Sequence, residues 1–258
     1  VEICVLGSGS TGNCLYVAGG GTHLLVDAGL SLKELKARLA QVGVDIESIA
    51  AVLFSHEHLD HCNGAGVLRK KHAMKFYANE GTASGIEQAV KGLQMDWQIF
   101  QTGSTFSIGG LTIEAFSVPH DASDAVGFAI SDGRARLVIA TDFGMSTTLI
   151  RSKLADCDAL VLETNHDVEM LRQSGRPWSL IQRILGRHGH LSNEDAAELL
   201  ASAISPRLKT VFLAHISEKC NAPHHAERVV RETLRLAGRG DVRVEQTHPD
   251  VPSARVTL

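Results

Sequence analysis

The segment His56-Glu57-His58-Leu59-Asp60-His61 places four potential metal ligands within six residues, in the pattern His-x-His-x-Asp-His. It follows Ile49-Ala50-Ala51-Val52-Leu53-Phe54, an apolar run that reads as a buried strand. Neutral imidazoles and ionised carboxylates suit zinc and similar divalent ions. Side chains alternate along an extended chain, so His56 and His58 project to one side. Asp60 and His61 come after the chain has turned and can face a second point. The cluster therefore serves two adjacent metals better than one. A lone His-x-His on a surface is commonly a solvated pair. Four ligand-type residues behind an apolar strand are much harder to read that way.

Three further apolar runs end in the same kind of residue. Ala115-Phe116-Ser117-Val118-Pro119 leads to His120, Leu137-Val138-Ile139-Ala140-Thr141 to Asp142, and Val211-Phe212-Leu213-Ala214 to His215. Any one is weak, because a strand-end His or Asp often caps a turn. Four such ends in one chain predict a common rim where ligands converge.

The remaining pattern predicts mixed α and β structure. Strands are expected at 1–6, 14–18, 23–27, 50–55, 105–108, 111–118, 126–131, 136–141, 159–163 and 210–214, and helices at 31–40, 193–204 and 224–237. Ser31 with Glu34 forms a capping box. Ser192 caps one later helix and Gly238 ends the other. Gly109-Gly110 and Asp132-Gly133 suit hairpin turns. The Gly-rich Gly7-Ser8-Gly9-Ser10-Thr11-Gly12-Asn13 lacks the Gly-Lys-Ser/Thr ending of a phosphate loop and precedes a strand, so it reads as a hairpin loop. Its Ser8, Ser10 and Asn13 are within reach of the metal rim.

No linker or repeat interrupts the 258 residues, so one domain over 1–258 is expected. No apolar run approaches the roughly 20 residues a membrane helix needs, and Val1–Leu6 lacks the start of a signal peptide. Five cysteines, an odd number without paired spacing, argue against a disulfide scaffold and for the reducing cytoplasm. The net charge of −4 gives no global attraction to nucleic acid, so an anionic substrate must be drawn by local charge.

The ordered set from Asp27 to His215 resembles the metallo-β-lactamase fold superfamily. That resemblance implies a four-layer αββα sandwich, mixed α/β (α+β) in class. It implies that His56, His58 and His120 hold one metal, that Asp60, His61 and His215 hold a second, and that Asp142 bridges them. Asp27 resembles the early Asp that orients ligands from behind. Glu163-Thr164-Asn165-His166-Asp167 and Gly189-His190-Leu191-Ser192 resemble the Glu-bearing and His-Ser/Thr loops of ribonuclease Z and related phosphodiesterases. In that reading His190 protonates the leaving oxygen, Glu163 orients it, and Ser192 with helix amides holds phosphate oxygens. The segment 171–190 carries Arg172, Arg176, Arg183 and Arg187 with Trp178 and no acidic residue. Arginines grip phosphates and Trp stacks on bases, against the plainer alternative of an exposed helix.

Gly7–Asn13, Ser55–Asn63, Tyr77–Glu80, Asn165–Leu171 and Gly189–Ala197 together resemble the YycJ (WalJ) group of bacterial metallo-β-lactamase-fold proteins, described as 5′-to-3′ exonucleases on duplex DNA. Phe143 departs from the small polar residue of that pattern and is expected to alter pocket shape. The implied chemistry is phosphodiester hydrolysis by a hydroxide bridging two divalent metals, zinc or manganese, with Asp60 accepting a proton. DNA is the expected substrate, with RNA or a small phosphodiester as alternatives and no membrane partner. The rival readings are a small-molecule hydrolase (a cyclic phosphodiesterase or a glyoxalase-II-like thioesterase) and a non-catalytic, metal-stabilised nucleic-acid-binding module.

Overall fold

The computed structural model describes residues 1–90 and 93–258. The first sheet contains β1 (Glu2–Gly7), β2 (Cys14–Gly19), β3 (Thr22–Val26), β4 (Ala51–Leu53), β5 (Lys75–Ala78) and β6 (Trp97–Ile99). The second contains β7 (Thr105–Ile108), β8 (Leu111–Ser117), β9 (Val126–Ser131), β10 (Arg136–Ala140), β11 (Ala159–Glu163), β12 (Thr210–Ala214) and β13 (Arg243–Gln246). The last strand, β14 (Val256–Thr257), returns to the first sheet beside β1. Strand order follows chain order in both sheets apart from that return. Each sheet changes from antiparallel to parallel pairing, the first at β3–β4 and the second at β10–β11.

The alternation of side chains explains the layering. Leu24, Val26, Ala51 and Leu53 pack against Ile113, Phe128, Ile139, Val161 and Phe212 between the two sheets. Their neighbours point the other way: Leu25, Val52 and Phe54 meet Leu35, Leu39, Leu68 and Ile86. Those four come from α1 (Leu32–Gln41), α3 (Ala65–Lys71) and α4 (Glu80–Ala89). On the far side Val138, Leu160, Leu162 and Val211 meet Ile150, Leu154, Leu199, Val230 and Leu234, from α5 (Thr148–Leu154), α8 (Asn193–Ser202) and α9 (Pro223–Leu236). The result is helix, sheet, sheet, helix. Strands buried on both faces read as continuous apolar runs, which is why most were visible in the sequence.

Three short helices complete the site: α2 (Leu59–Cys62), α6 (Val168–Gln173) and α7 (Trp178–Ile184). The capping box at Ser31 and Glu34 and the turns at Gly109 and Asp132 are present as expected. Residues 75–78, 97–99 and 243–246 form strands, and 65–71, 80–89 and 148–154 form helices, that the sequence pattern did not mark. These strands have three or four residues, too few for a period to declare itself.

Candidate active site and metal centre

The local chain at 51–62 folds as its spacing requires. After β4 the chain bends at Ser55, is extended at His58 and then winds into α2, which carries Asp60 and His61. Ala28 donates to the His61 carbonyl, and Asn13 donates to the Asp60 carbonyl at 2.7 Å. This close approach requires Gly29, where a Cβ would lie 1.7 Å from the Asp60 carbonyl oxygen.

Asp27, Asp142 and His215 are the non-glycine residues with positive φ among those described, at 61°, 58° and 57°. Each follows a strand, β3, β10 and β12 respectively. Such a backbone costs on the order of 1–3 kcal/mol per residue and persists only where the surroundings over-determine it. All three sit in one site, which turns their side chains off the sheet edges into a shared centre.

The ligand-type atoms fall into overlapping groups. His56, His58 and His120 form one, Asp60, His61 and His215 another, and Asp142 joins His56 and His61 as well as His215. His120 Nε2 and His58 Nδ1 are 3.3 Å apart. His215 Nε2 lies 3.3 Å from Asp142 Oδ1 and 3.4 Å from Asp60 Oδ2. His61 Nε2 lies 3.5 Å from both Asp142 Oδ2 and Asp60 Oδ2. Two ligands about 2.1 Å from one tetrahedral ion lie roughly 3.4 Å apart, so these spacings match ligands that share an ion. The buried His56 Nε2 and Asp142 Oδ2 have no hydrogen-bond partner. Leaving such groups unpaired is costly, and a divalent cation satisfies both. The residues present fit the metal that the pattern implies.

The opposite ring nitrogens are held from behind. His61 Nδ1 is 2.8 Å from Asp27 Oδ2, and that carboxylate also accepts from the Ser55 amide and hydroxyl. Ser55 Oγ lies 3.0 Å from His56 Nδ1, and the Gly189 carbonyl lies 3.2 Å from His120 Nδ1. Such contacts set tautomer and ring orientation. The Gly-rich hairpin loop reaches both halves of the centre. The Ser8 hydroxyl accepts from the His215 amide at 2.7 Å, and Asn13 Nδ2 lies 3.2 Å from Asp60 Oδ2 and 3.0 Å from His61 Nε2. Burial and neighbouring imidazoles keep His56 well below its ordinary pKa, hence neutral and ready to ligate. Burial alone would push Asp142 up, but His215, His61 and His56 outweigh it and hold the carboxyl well below its usual range.

Beside the ligands stands a second unit. Glu163 ends β11 with no exposure, and its Oε2 accepts from the Phe143 amide at 2.9 Å. Its Oε1 is 2.6 Å from His190 Nδ1. Burial pushes the His190 pKa down, but the Glu163 carboxylate, with Asp142 beyond it, more than offsets this and raises it to about 9. The ring stacks on His215 with centroids 5.2 Å apart. A cavity of about 190 Å³ opens on this side, lined by Ser10, Leu171, Arg176, Leu180, Arg183, Ile184, His190 and His215, among others.

Three expectations change. Ser192 is buried, accepts from the Asp195 amide at 3.0 Å and donates to the Asp195 carboxylate at 2.7 Å. It is committed to capping α8 and does not line the cavity. Phe143 turns into the apolar layer between the second sheet and its helices, so it contributes its backbone amide and does not shape the pocket. The four arginines divide: Arg176 and Arg183 line the cavity, whereas Arg172 and Arg187 are exposed and do not. Arg172 lies on α6, Arg176 between Gly175 and Pro177, Arg183 on α7 and Arg187 beyond it. Ser55, Asn165 and Gly189 lie in segments that the sequence singled out, but it gave them no role of their own. Asn165 donates to the His215 carbonyl at 2.8 Å, a contact no spacing rule announces.

The chain is similar to known proteins. Residues 22–216 match the family model described as a beta-lactamase superfamily domain. The chain is 38% identical to exodeoxyribonuclease YycJ of Bacillus anthracis, over 98% of this chain and 97% of that protein. It is 37% identical to exodeoxyribonuclease WalJ of Streptococcus pneumoniae, over 95% and 94%. Among solved structures, the metallo-beta-lactamase fold protein YhfI from Bacillus subtilis superposes with a TM-score of 0.73 at 17% identity, covering 97% of this chain and 98% of that one. The chain therefore belongs to the beta-lactamase superfamily and, within it, to the YycJ/WalJ family of metal-dependent hydrolases.

Proposed function

We propose that residues 1–258 act as one domain that digests duplex DNA exonucleolytically in the 5′-to-3′ direction, with two divalent ions, zinc or manganese. His56, His58 and His120 would hold one ion and Asp60, His61 and His215 the other, with Asp142 shared. When bound, the ions neutralise charge on the phosphate and lower the pKa of water at the centre. The chain's own groups handle the protons. Asp60 is the most exposed carboxylate of the set, with a side chain 25% exposed, and Asn13 and His215 hold it. It accepts the proton of the attacking water. His190, charged beside Glu163, gives its proton to the leaving oxygen and is 22% exposed for reprotonation from solvent.

The observation that carries this reading is the 2.6 Å Glu163–His190 pair beside the shared Asp142. A hydrolase for phosphodiesters needs an acid for an alkoxide leaving group. A thioester leaves as a thiolate and needs none. The names of the relatives at 37–38% identity support nucleic acid, and DNA in particular, as the substrate. The test is a panel of zinc or manganese against duplex DNA, single-stranded DNA, RNA, a cyclic nucleotide and a thioester. Mononucleotide release from 5′-labelled duplex DNA is expected. Turnover of the thioester or cyclic nucleotide with duplex DNA left intact would overturn the reading.

A further inference from the structure

The cavity beside His190 has a defined chemistry. Part of its lining is apolar, from Leu171, Leu180, Ile184 and Cys220, of which Leu171 and Cys220 are buried in a small cluster with Ile181; Ser10, Asp121, Asn165 and Ser217 supply polar lining. Two arginines line it. Arg183 is paired with Asp121, which fastens α7 to the loop that carries His120. The guanidinium of Arg176 has no hydrogen bond or ion pair among the described residues, although the residue is only partly exposed. An unpaired guanidinium in a cavity with apolar side chains suits a phosphate attached to a flat, weakly polar group.

The position of the cavity fixes which fragment it takes. The acid protonates the oxygen that departs, so the departing fragment lies on the side of His190, and the cavity is on that side. We propose, building on the exonuclease reading, that this cavity holds the terminal nucleotide and that Arg176 binds its 5′-phosphate. Water oxygen bonds to phosphorus, the P–O3′ bond breaks, Asp60 takes the water proton and O3′ receives the proton of His190. The products are a nucleoside 5′-monophosphate and a strand shortened by one residue with a new 5′-phosphate. Each cycle thus regenerates the end that Arg176 recognises.

The consequence is a lag. With metal-loaded enzyme, a duplex bearing 5′-phosphates should be digested at full rate from the start. The same duplex with 5′-hydroxyl ends should make its first cut about tenfold more slowly, the effect of one charge-assisted contact, and then reach full rate. In Arg176→Ala the two ends should behave alike, and Arg176→Lys should restore part of the difference. Absence of a lag in the wild type, or its persistence in Arg176→Ala, overturns the proposal. A second measurement separates this from the choice of substrate: inhibition by thymidine 5′-monophosphate of bis(p-nitrophenyl) phosphate hydrolysis. Inhibition weakened severalfold by Arg176→Ala, without DNA cleavage, would uphold the cavity as a nucleotide site and overturn the exonuclease reading. DNA cleavage with no lag and equal inhibition of both proteins would do the reverse.

Discussion

The two halves of the site are built in different ways. In the segment 56–61 the geometry is local: a short non-helical stretch followed by one helical turn brings two imidazoles to one group and a carboxylate and an imidazole to another. In the second sheet the parts are single residues far apart in the chain. There the register does the alignment, since Ala140 pairs with Leu162 and Glu163 pairs with Ala214. Three parallel strands therefore deliver Asp142, Glu163 and His215 to one edge. A local motif can be read as a string, whereas an edge exists only once the strands have paired.

The halves should fail differently. The largest effect is expected for Asp142→Ala, which removes the carboxylate grouped with His56 and His61 on one side and with His215 on the other. Hydrolysis should fall by at least about 10³-fold with loss of metal by elemental analysis, while circular dichroism stays near native. Full activity with verified metal loss would break the two-ion scheme. His190→Ala touches only the second half. Metal content should be kept and kcat should drop by about 10²–10⁴-fold. The related Glu163→Gln tests the pair by pH. The carboxylate favours the charged imidazole, so its removal lowers the His190 pKa. Activity that needs protonated His190 is present at low pH and lost as pH rises through that pKa, so the alkaline fall in kcat should move to lower pH. An unmoved limb would remove His190 from the acid role.

A smaller effect is expected from Asn13→Ala, which frees Asp60 and His61 without deleting a ligand. Affinity for the more weakly held ion should drop about 10- to 100-fold by calorimetry, with the first ion retained. Smallest of all is Ser192→Ala. The loss of the α8 cap should cost about 1 kcal/mol, or roughly 2–4 °C in Tm for a chain of this size. KM for DNA should not change. A rise in KM would return Ser192 to the substrate contacts and blur the division between the halves.

Much of the first half was legible in residue order. His-x-His-x-Asp-His behind an apolar run gave ligand types and their division between two points, and the strand-end His120, Asp142 and His215 marked the rim. Ser192 was legible twice over, as a cap and as a phosphate contact, because one hydroxyl before a helix suits both. Only the 3.0 Å bond from the Asp195 amide and the burial of the oxygen separate the two. The arginines looked alike in sequence for a related reason. Charge and spacing say that a segment is basic, but not which of its side chains the packed elements bring to a cavity.

Residue order alone thus supplies the candidate ligands, the continuous apolar strands and the family, because these depend on chemical type and on runs of a few residues. Folding decides the left-handed turns at Asp27, Asp142 and His215, the Glu163–His190 contact across 27 residues and the grip of the Gly-rich loop on Asp60. These depend on strand register and on close backbone approach. Both are properties of packed elements, and no stretch of the chain contains them before it folds.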